Sequence, residues 1–242
     1  MQELDFTLDG VPASSVGIEL CKPIVFSAAV PKVTAIEIPG RNGDLHIDDG
    51  AFENRTGTAE CSVTDILRGS SERMADISAF LFASGGYRKL TVSDDTEHYW
   101  YARVSNGAAI ASRLGKLNVF GIEFDCKPYR TVNGAEKTIE FPDSSFHIAN
   151  PTGFRAYPLL YVSASAAGTI SNPYGSIKIL GATDGEMIID CEDKRAYYSY
   201  GRSADHLIKA SSFPYFPPIG NNGLVFDSGI ISLRVAPRWR TL

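Results

Sequence analysis

Two acidic clusters come nearest to a spacing that could do chemistry: Asp44 with Asp48 and Asp49, and Asp94 with Asp95, Glu97 and His98. Clustered carboxylates are hard oxygen ligands suited to Ca2+, which takes about six to eight oxygens at defined spacing. Neither cluster follows the D-x-D-x-D-G order of a calcium loop, and both sit among turn residues, where Asp hydrogen-bonds its own backbone. The solvated-turn reading is preferred, and no metal site is expected. Nucleophilic chemistry is no better supplied. There is no G-x-S-x-G elbow, Walker loop, H-E-x-x-H or dinucleotide fingerprint, and His46, His98, His147 and His206 are isolated from one another. A triad can assemble from distant positions, but no serine or cysteine has a local activator. A glycosidase would need two carboxylates about 5–10 Å apart across a cleft. The expectation is a protein that is not an enzyme, with no catalytic residue and no cofactor.

The cysteines, Cys21, Cys61, Cys126 and Cys191, form no C-x-x-C pair and lie in apolar or alternating contexts, so they read as buried thiols. Asn54-Arg55-Thr56 matches a glycosylation sequon, which a cytoplasmic product would not use. Tyr197, Tyr198, Tyr200, Phe213, Tyr215 and Phe216 could offer faces for stacking sugars. In a β-sandwich, alternate aromatics more often fill the core, and that reading is preferred.

The elements that must position these residues are mostly strands. Residues 33–38 are β-branched and bounded by Pro31 and Pro39-Gly40. The stretch 40–50 carries Asn42-Gly43 and Asp49-Gly50 at its ends and reads as a projecting loop or hairpin with a turn at each dipeptide. Residues 56–64 alternate strictly, with Ala59, Cys61 and Val63 facing inward. One helix is expected. Ser70 or Ser71 would cap it, Met74, Ile77, Phe80 and Leu81 would be its apolar stripe, and Gly85-Gly86 its left-handed stop. A hairpin follows, Tyr87–Val92 and His98–Val104, tipped by Asp94-Asp95-Thr96-Glu97. Between Lys116 and Cys126 the inward parity changes across Phe120-Gly121, which predicts a β-bulge at the glycine. Beyond residue 130 the texture becomes short strands, 138–141, 157–162, 176–180, 187–190, 196–200, 224–226 and 230–235, punctuated by Pro and Gly. That pattern suggests a β-sandwich.

The chain has 242 residues, 44% hydrophobic and 21% charged, which is ordinary globular usage for one or two domains of about 150 residues each. Its 23 basic and 28 acidic residues leave a formal charge of −5, which excludes a generally basic nucleic-acid binder. Residues 1–130 hold 13 Lys/Arg against 18 Asp/Glu and residues 131–242 hold 10 against 10, so the acidic excess lies in the first half. No apolar run reaches the roughly 18 residues of a membrane span, and Met1-Gln2-Glu3-Leu4-Asp5 has no basic n-region of a signal peptide. A product soluble in the cytoplasm where it is made is expected.

Four stretches, in order along nearly the whole chain, resemble the distal tail protein family of siphophages. They are Pro39-Gly-Arg-Asn-Gly-Asp-Leu45 followed by Phe52-Glu-Asn-Arg55; Phe124-Asp-Cys-Lys-Pro-Tyr129; Asn150-Pro-Thr-Gly153 leading to Tyr157-Pro-Leu-Leu160; and Phe213-Pro214, Pro218-Ile-Gly-Asn-Asn222 and Leu224-Val-Phe226, ending in Pro237-Arg-Trp-Arg240. The chain lacks the long second-half insertion that serves some family members as a carbohydrate-binding arm. The resemblance implies a mainly β fold with one short helix. An N-terminal belt domain (1–130) would form the ring and a galectin-like β-sandwich (131–229) would follow. Residues 230–242 would either complete the sandwich or return to the first domain.

The function implied is a hexameric ring at the distal tail tip of the virion, assembled in the host bacterial cytoplasm. It would join the tail tube protein to the tip hub or tail-associated protein, contact a receptor-binding protein in some tails, and let DNA pass without specific binding or membrane insertion. Six acidic halves would give 6 × −5 = −30 formal charges, a wall that repels phosphate. Candidate subunit-interface residues are Arg41, Asn42, Asp44, Phe52, Glu53, Arg55, Asp94, Asp95 and Glu97, chosen because projecting hairpins and strand edges can extend a sheet across a subunit boundary. The alternative is a lectin-like adhesin that binds host-wall carbohydrate through the sandwich.

Overall fold

The computed structural model describes residues 4–63, 70–106, 119–141, 145–218 and 221–242. The fold is mainly β, and the chain divides into two compact units, one running to Arg130 and the other spanning Thr131–Thr241, with Leu242 grouped with the first.

The first unit contains β1 (Phe6–Leu8), β2 (Val11–Pro12), a 3-10 turn (Ala13–Val16), β3 (Ile18–Leu20), β4 (Val25–Phe26), β5 (Pro31–Ile36), β6 (Leu45–Phe52), β7 (Arg55–Val63), α1 (Ser70–Phe82), β8 (Arg88–Val92), β9 (Asp95–Val104) and all but the last two residues of β10 (Val119–Val132). Its main sheet runs β2-β1-β8-β9-β10-β7-β3, with β4 also on β7, while β5 and β6 pair only with each other. Strand alternation drives the core: Ala59 and Cys61 from β7 meet Phe120, Ile122, Phe124 and Cys126 from β10, all essentially inaccessible. Phe6 of β1 lies edge-on to Phe124 of β10 at 5.6 Å and tilted against Phe80 of α1 at 6.1 Å, so the helix and two strands of the sheet meet at one aromatic junction. Ile77, Phe80 and Leu81 face inward from α1, whereas Met74 and the two serines fall among side chains outside the described set.

Three local expectations are corrected. β10 pairs with β7 in unbroken register from Val119↔Ser62 to Cys126↔Arg55, so Gly121 is no bulge. Phe120 carries the inward phase and Val119 is the exposed residue, so the parity does not change over residues 119–126, while 116–118 lie outside the described residues. Gly85 and Gly86 are not left-handed. The Gly86 N–H donates instead to Ser84 Oγ, and Arg88 Nη1 donates to the Phe80 carbonyl at 2.5 Å, so a side chain from β8 satisfies a helix-end acceptor. Asp49-Gly50 lies within β6 rather than at a turn. Gly50 takes φ +68°, its N–H donates to Asp48 Oδ1, and the β5–β6 register slips between Pro31 and Val33, which makes it a bulge.

The second unit holds β11 (Ile139–Glu140), β12 (Ser145–Ala149), β13 (Leu159–Ala164), β14 (Gly168–Asn172), β15 (Gly175–Ile179), β16 (Met187–Asp190), β17 (Arg195–Tyr198), β18 (Ile208–Ser212), β19 (Asn221–Phe226), β20 (Ile230–Ala236) and β21 (Arg240–Thr241). Two five-stranded antiparallel sheets, β11-β20-β13-β16-β17 and β12-β19-β14-β15-β18, share one apolar core in a sandwich. The C-terminal stretch contributes β20, hydrogen-bonded between β11 and β13, and Trp239, whose ring packs 5.6 Å from Phe216 in that core. Arg238, with backbone φ +53°, donates from Nη1 and Nη2 to both carboxylate oxygens of Asp190 at 3.0 and 2.7 Å and from Nε to the Tyr157 carbonyl.

Cys61, Cys126 and Cys191 are buried, but Cys21 is exposed, because the Cys21 backbone lies past the end of β3. Burial pushes the Cys61 and Cys126 thiols up to about 12 and raises that of Cys191 as well. A thiol reagent at neutral pH is therefore expected to titrate one group in the native chain and all four after denaturation.

Candidate functional site

In the first unit the β5–β6 ribbon is exposed along almost its whole length. Cross-strand partners share a face of an antiparallel pair, so Thr34↔Ile47 and Ile36↔Leu45 place Ile36, Leu45 and Ile47 together. These side chains are 41%, 37% and 46% exposed, an apolar stripe that its own unit leaves uncovered. The other face is mixed, from Val33↔Asp48 and Ala35↔His46. At the tip, Gly40 and Gly43 take φ +81° and +78°, and the Arg41 N–H donates to the Ile38 carbonyl. No atom lies near where a Cβ would sit on either glycine, so they serve the left-handed turn rather than a close approach. Arg41, Asn42 and Asp44 are exposed there.

The Phe-Glu-Asn-Arg group fastens the root of the ribbon. Phe52 stands edge-on to Tyr129 at 5.8 Å, and the Glu53 N–H donates to the Val30 carbonyl at 2.8 Å while its side chain stays exposed. Asn54 Nδ2 donates to Tyr87 Oη at 2.6 Å and to Asp125 Oδ1 at 2.8 Å, and Arg103 Nε donates to Asp125 Oδ2 at 2.8 Å. Burial would raise the Asp125 carboxyl, but the Arg103, Asn54 and Tyr87 donors together hold it below the ordinary carboxylate value. Arg55 Nε donates to the Ser27 carbonyl at 2.7 Å, and burial, with the Arg130 charge, lowers the guanidinium from its usual value.

Asp94 and Glu97 are exposed at the β8–β9 tip. Asp95 is not an open tip residue. It opens β9, sits half-buried, and bonds His98 Nδ1 at 2.9 Å and Arg130 Nη1 at 3.1 Å. Burial pushes its carboxyl up, and the His98 and Arg130 partners bring it net below the ordinary value. The nine residues thus separate into a tip on the ribbon, a root, and a second tip on another hairpin. Among the described residues no three His, Cys, Asp or Glu side chains converge as a metal would require, and no helix is long and apolar enough to cross a membrane.

Of the aromatic group in the second unit, Tyr198 and Phe216 are core residues, Tyr200 is exposed and stacks on Tyr198 at 5.3 Å, and Tyr215 is half-buried. Sequence reasoning misses the neighbours of Tyr215, namely Tyr157, Tyr174 and Arg155. The only signal is the Asn172-Pro-Tyr-Gly175 turn, which says nothing of a partner some forty residues on.

No protein-family model and no curated protein sequence matches the chain. Among solved structures, it is similar to the SPP1 Dit (gp 19.1) protein, whose crystal structure is described as a paradigm of the hub adsorption apparatus in Gram-positive infecting phages. The TM-score is 0.68 at 14% identity, covering 99% of this chain and 99% of that one. Both units, the ribbon and the C-terminal strands fall within the match, and the chain therefore has the fold of the SPP1 Dit protein from end to end.

Proposed function

We propose that the chain is a structural component of a phage tail tip. In this reading six copies form a ring that joins the tail tube protein to the tip hub and adsorption apparatus, with DNA passing through its opening. The observation that carries it is the end-to-end match of a two-unit chain to a hub adsorption protein at 99% coverage of both. The first unit is the ring-forming belt and the second a galectin-like sandwich facing outward, and a receptor-binding protein is a further neighbour in the assembled tip. Six first units carry 6 × −5 = −30 formal charges, which favours passage of phosphate without adhesion. Mass in solution tests the ring: six copies of 26.2 kDa give about 157 kDa, and a chain that stays at 26.2 kDa over a wide concentration range overturns self-assembly.

The apolar stripe of β5–β6 is the natural contact, since a cyclic ring joins unlike patches of successive copies. Ile47→Glu is expected to shift the ring mass to that of the single chain while leaving the far-ultraviolet spectrum unchanged, because Ile47 packs against no core. An unchanged ring mass would remove the ribbon from the interface.

A further inference from the structure

One cluster in the second unit is left unused by the assembly reading. Tyr174 is 41% exposed, and its ring lies 4.9 Å from that of Tyr215 at a tilt of 33°. The guanidinium of exposed Arg155 sits 5.0 Å from the centroid of the same Tyr215 ring, and no carboxylate pairs with it among the described residues. The nearby Arg240 is already engaged, by Glu192 and by the Arg155 carbonyl. Arg155 is thus the available cation of this face, held in place by an aromatic ring.

The platform is built rather than incidental. Asn172 Oδ1 accepts the N–H groups of Tyr174 and Gly175, and Asn172 Nδ2 donates to the Tyr215 carbonyl, which ties both tyrosine backbones to one amide. A Cβ at Gly175 would meet the backbone of Phe213 and Pro214 at 2.6 Å, so only glycine lets these two segments approach as they do. Such preorganisation lowers the ordering cost of any ligand that lands there.

We infer that Arg155, Tyr174 and Tyr215 form a subsite for an anionic saccharide. The apolar C–H face of a pyranose lies on Tyr174, and its carboxylate or phosphate takes the Arg155 fork, which matches planar anions with two parallel N–H donors. Tyr174 and Arg155 each lie about 5 Å from the Tyr215 ring and are therefore at most about 10 Å apart, within reach of one pyranose bearing an anionic substituent. A nucleotide fits less well. The Asn172 amide is spent on backbone and reads no base edge, and residues 131–242 carry no net formal charge to attract a polynucleotide. The site goes beyond the ring reading and does not depend on it.

Calorimetric titration of the full chain with glucose 1-phosphate, glucuronate, glucose, inorganic phosphate and AMP is the test. Either acidic sugar is expected to bind about tenfold or more tighter than glucose, as one charge-assisted contact implies. Tyr174→Ala should weaken the acidic sugars, Arg155→Ala should reduce them to the level of glucose, and Arg155→Lys should restore part of the difference. A native spectrum and one reactive thiol certify the fold of each variant. The stronger of the two acidic sugars identifies the source of the anion. Equal binding of inorganic phosphate, equal binding of glucose, tighter binding of AMP, or no saturation by either acidic sugar up to about 50 mM each overturns the assignment.

Discussion

Asp190→Ala is expected to destabilise the second unit by about 3 kcal/mol, because it removes the two-pronged counter-charge of the Arg238 guanidinium and leaves it only the Glu192 carboxylate, 3.9 Å away. The two side chains are only 10% and 18% exposed, and the carboxylate also accepts the N–H groups of Glu192 and Asp193, so water cannot replace what is lost. Arg238 in turn holds the Tyr157 carbonyl, and its own N–H donates to the Ala135 carbonyl, so the pair ties β16 to the chain before β13 and to the segment after β20. Replacing both partners with apolar residues of similar volume should recover most of the loss, since the penalty lies in the unpaired charge.

The pair also gives a pH dependence of known sign. Burial would raise the Asp190 carboxyl, but its bonds with Arg238 hold it below the ordinary value of about 3.9. A depressed folded-state pKa means that this stabilisation is fully present above about pH 4–5 and is lost as the pH falls through the lower folded value. Denaturant midpoints for the parent should fall in that acid range, whereas Asp190→Ala should show a shallower slope there.

Phe124→Ala is expected to cost the first unit about 3–5 kcal/mol, the range for removing a fully buried ring and leaving a cavity. Phe124 is 0% exposed and meets Phe6 edge-on, and Phe6 meets Phe80, so the cavity would loosen β1, β10 and α1 together. Two-unit unfolding has no single midpoint, so the measurement must separate the units. The chain supplies the means. Its two tryptophans fall one in each unit, Trp100 stacked on Phe26 at 4.1 Å and Trp239 against Phe216. Urea titration of Trp100→Phe and Trp239→Phe backgrounds should show Asp190→Ala moving the Trp239 transition and Phe124→Ala moving the Trp100 transition. The opposite assignment, or a common shift of both, would refute these local origins.

The parts of the fold that are legible in the sequence are those where alternation and punctuation agree. β7 shows Ala59 and Cys61 inward, and β16 is bounded by glycine on one side and polar turn residues on the other. Strands β12, β14 and β18 escape such a reading because Ser, Gly and Asn break their patterns, while each pairs with a strand far along the chain, β12 and β14 with β19 and β18 with β15. The bulge expected at Gly121 rests on giving the inward phase to Val119, when the larger Phe120 has the greater burial gain.

The candidate site divides in the same way. The ribbon's tip is written locally in Pro39-Gly40 and Asn42-Gly43, whereas the root depends on contacts across long separations. Arg55 reaches Ser27 and Asn54 reaches Asp125, pairs that periodicity cannot relate. That is why Phe52 and Arg55 read as surface candidates when their side chains are partly covered and fasten the ribbon.

The placement of β20 between β11 and β13 has a bearing on biosynthesis. Ile139 pairs with Val235, so a ribosome must translate almost the entire second unit before that sheet can close. Until then β11 and β13 each offer bare backbone donors and acceptors, the condition that invites nascent chains to join one another. A nonsense codon shortly before residue 230 should therefore yield inclusion bodies rather than a slightly shortened soluble product, while the first unit, whose β7–β10 pairing is complete at Cys126, can condense early.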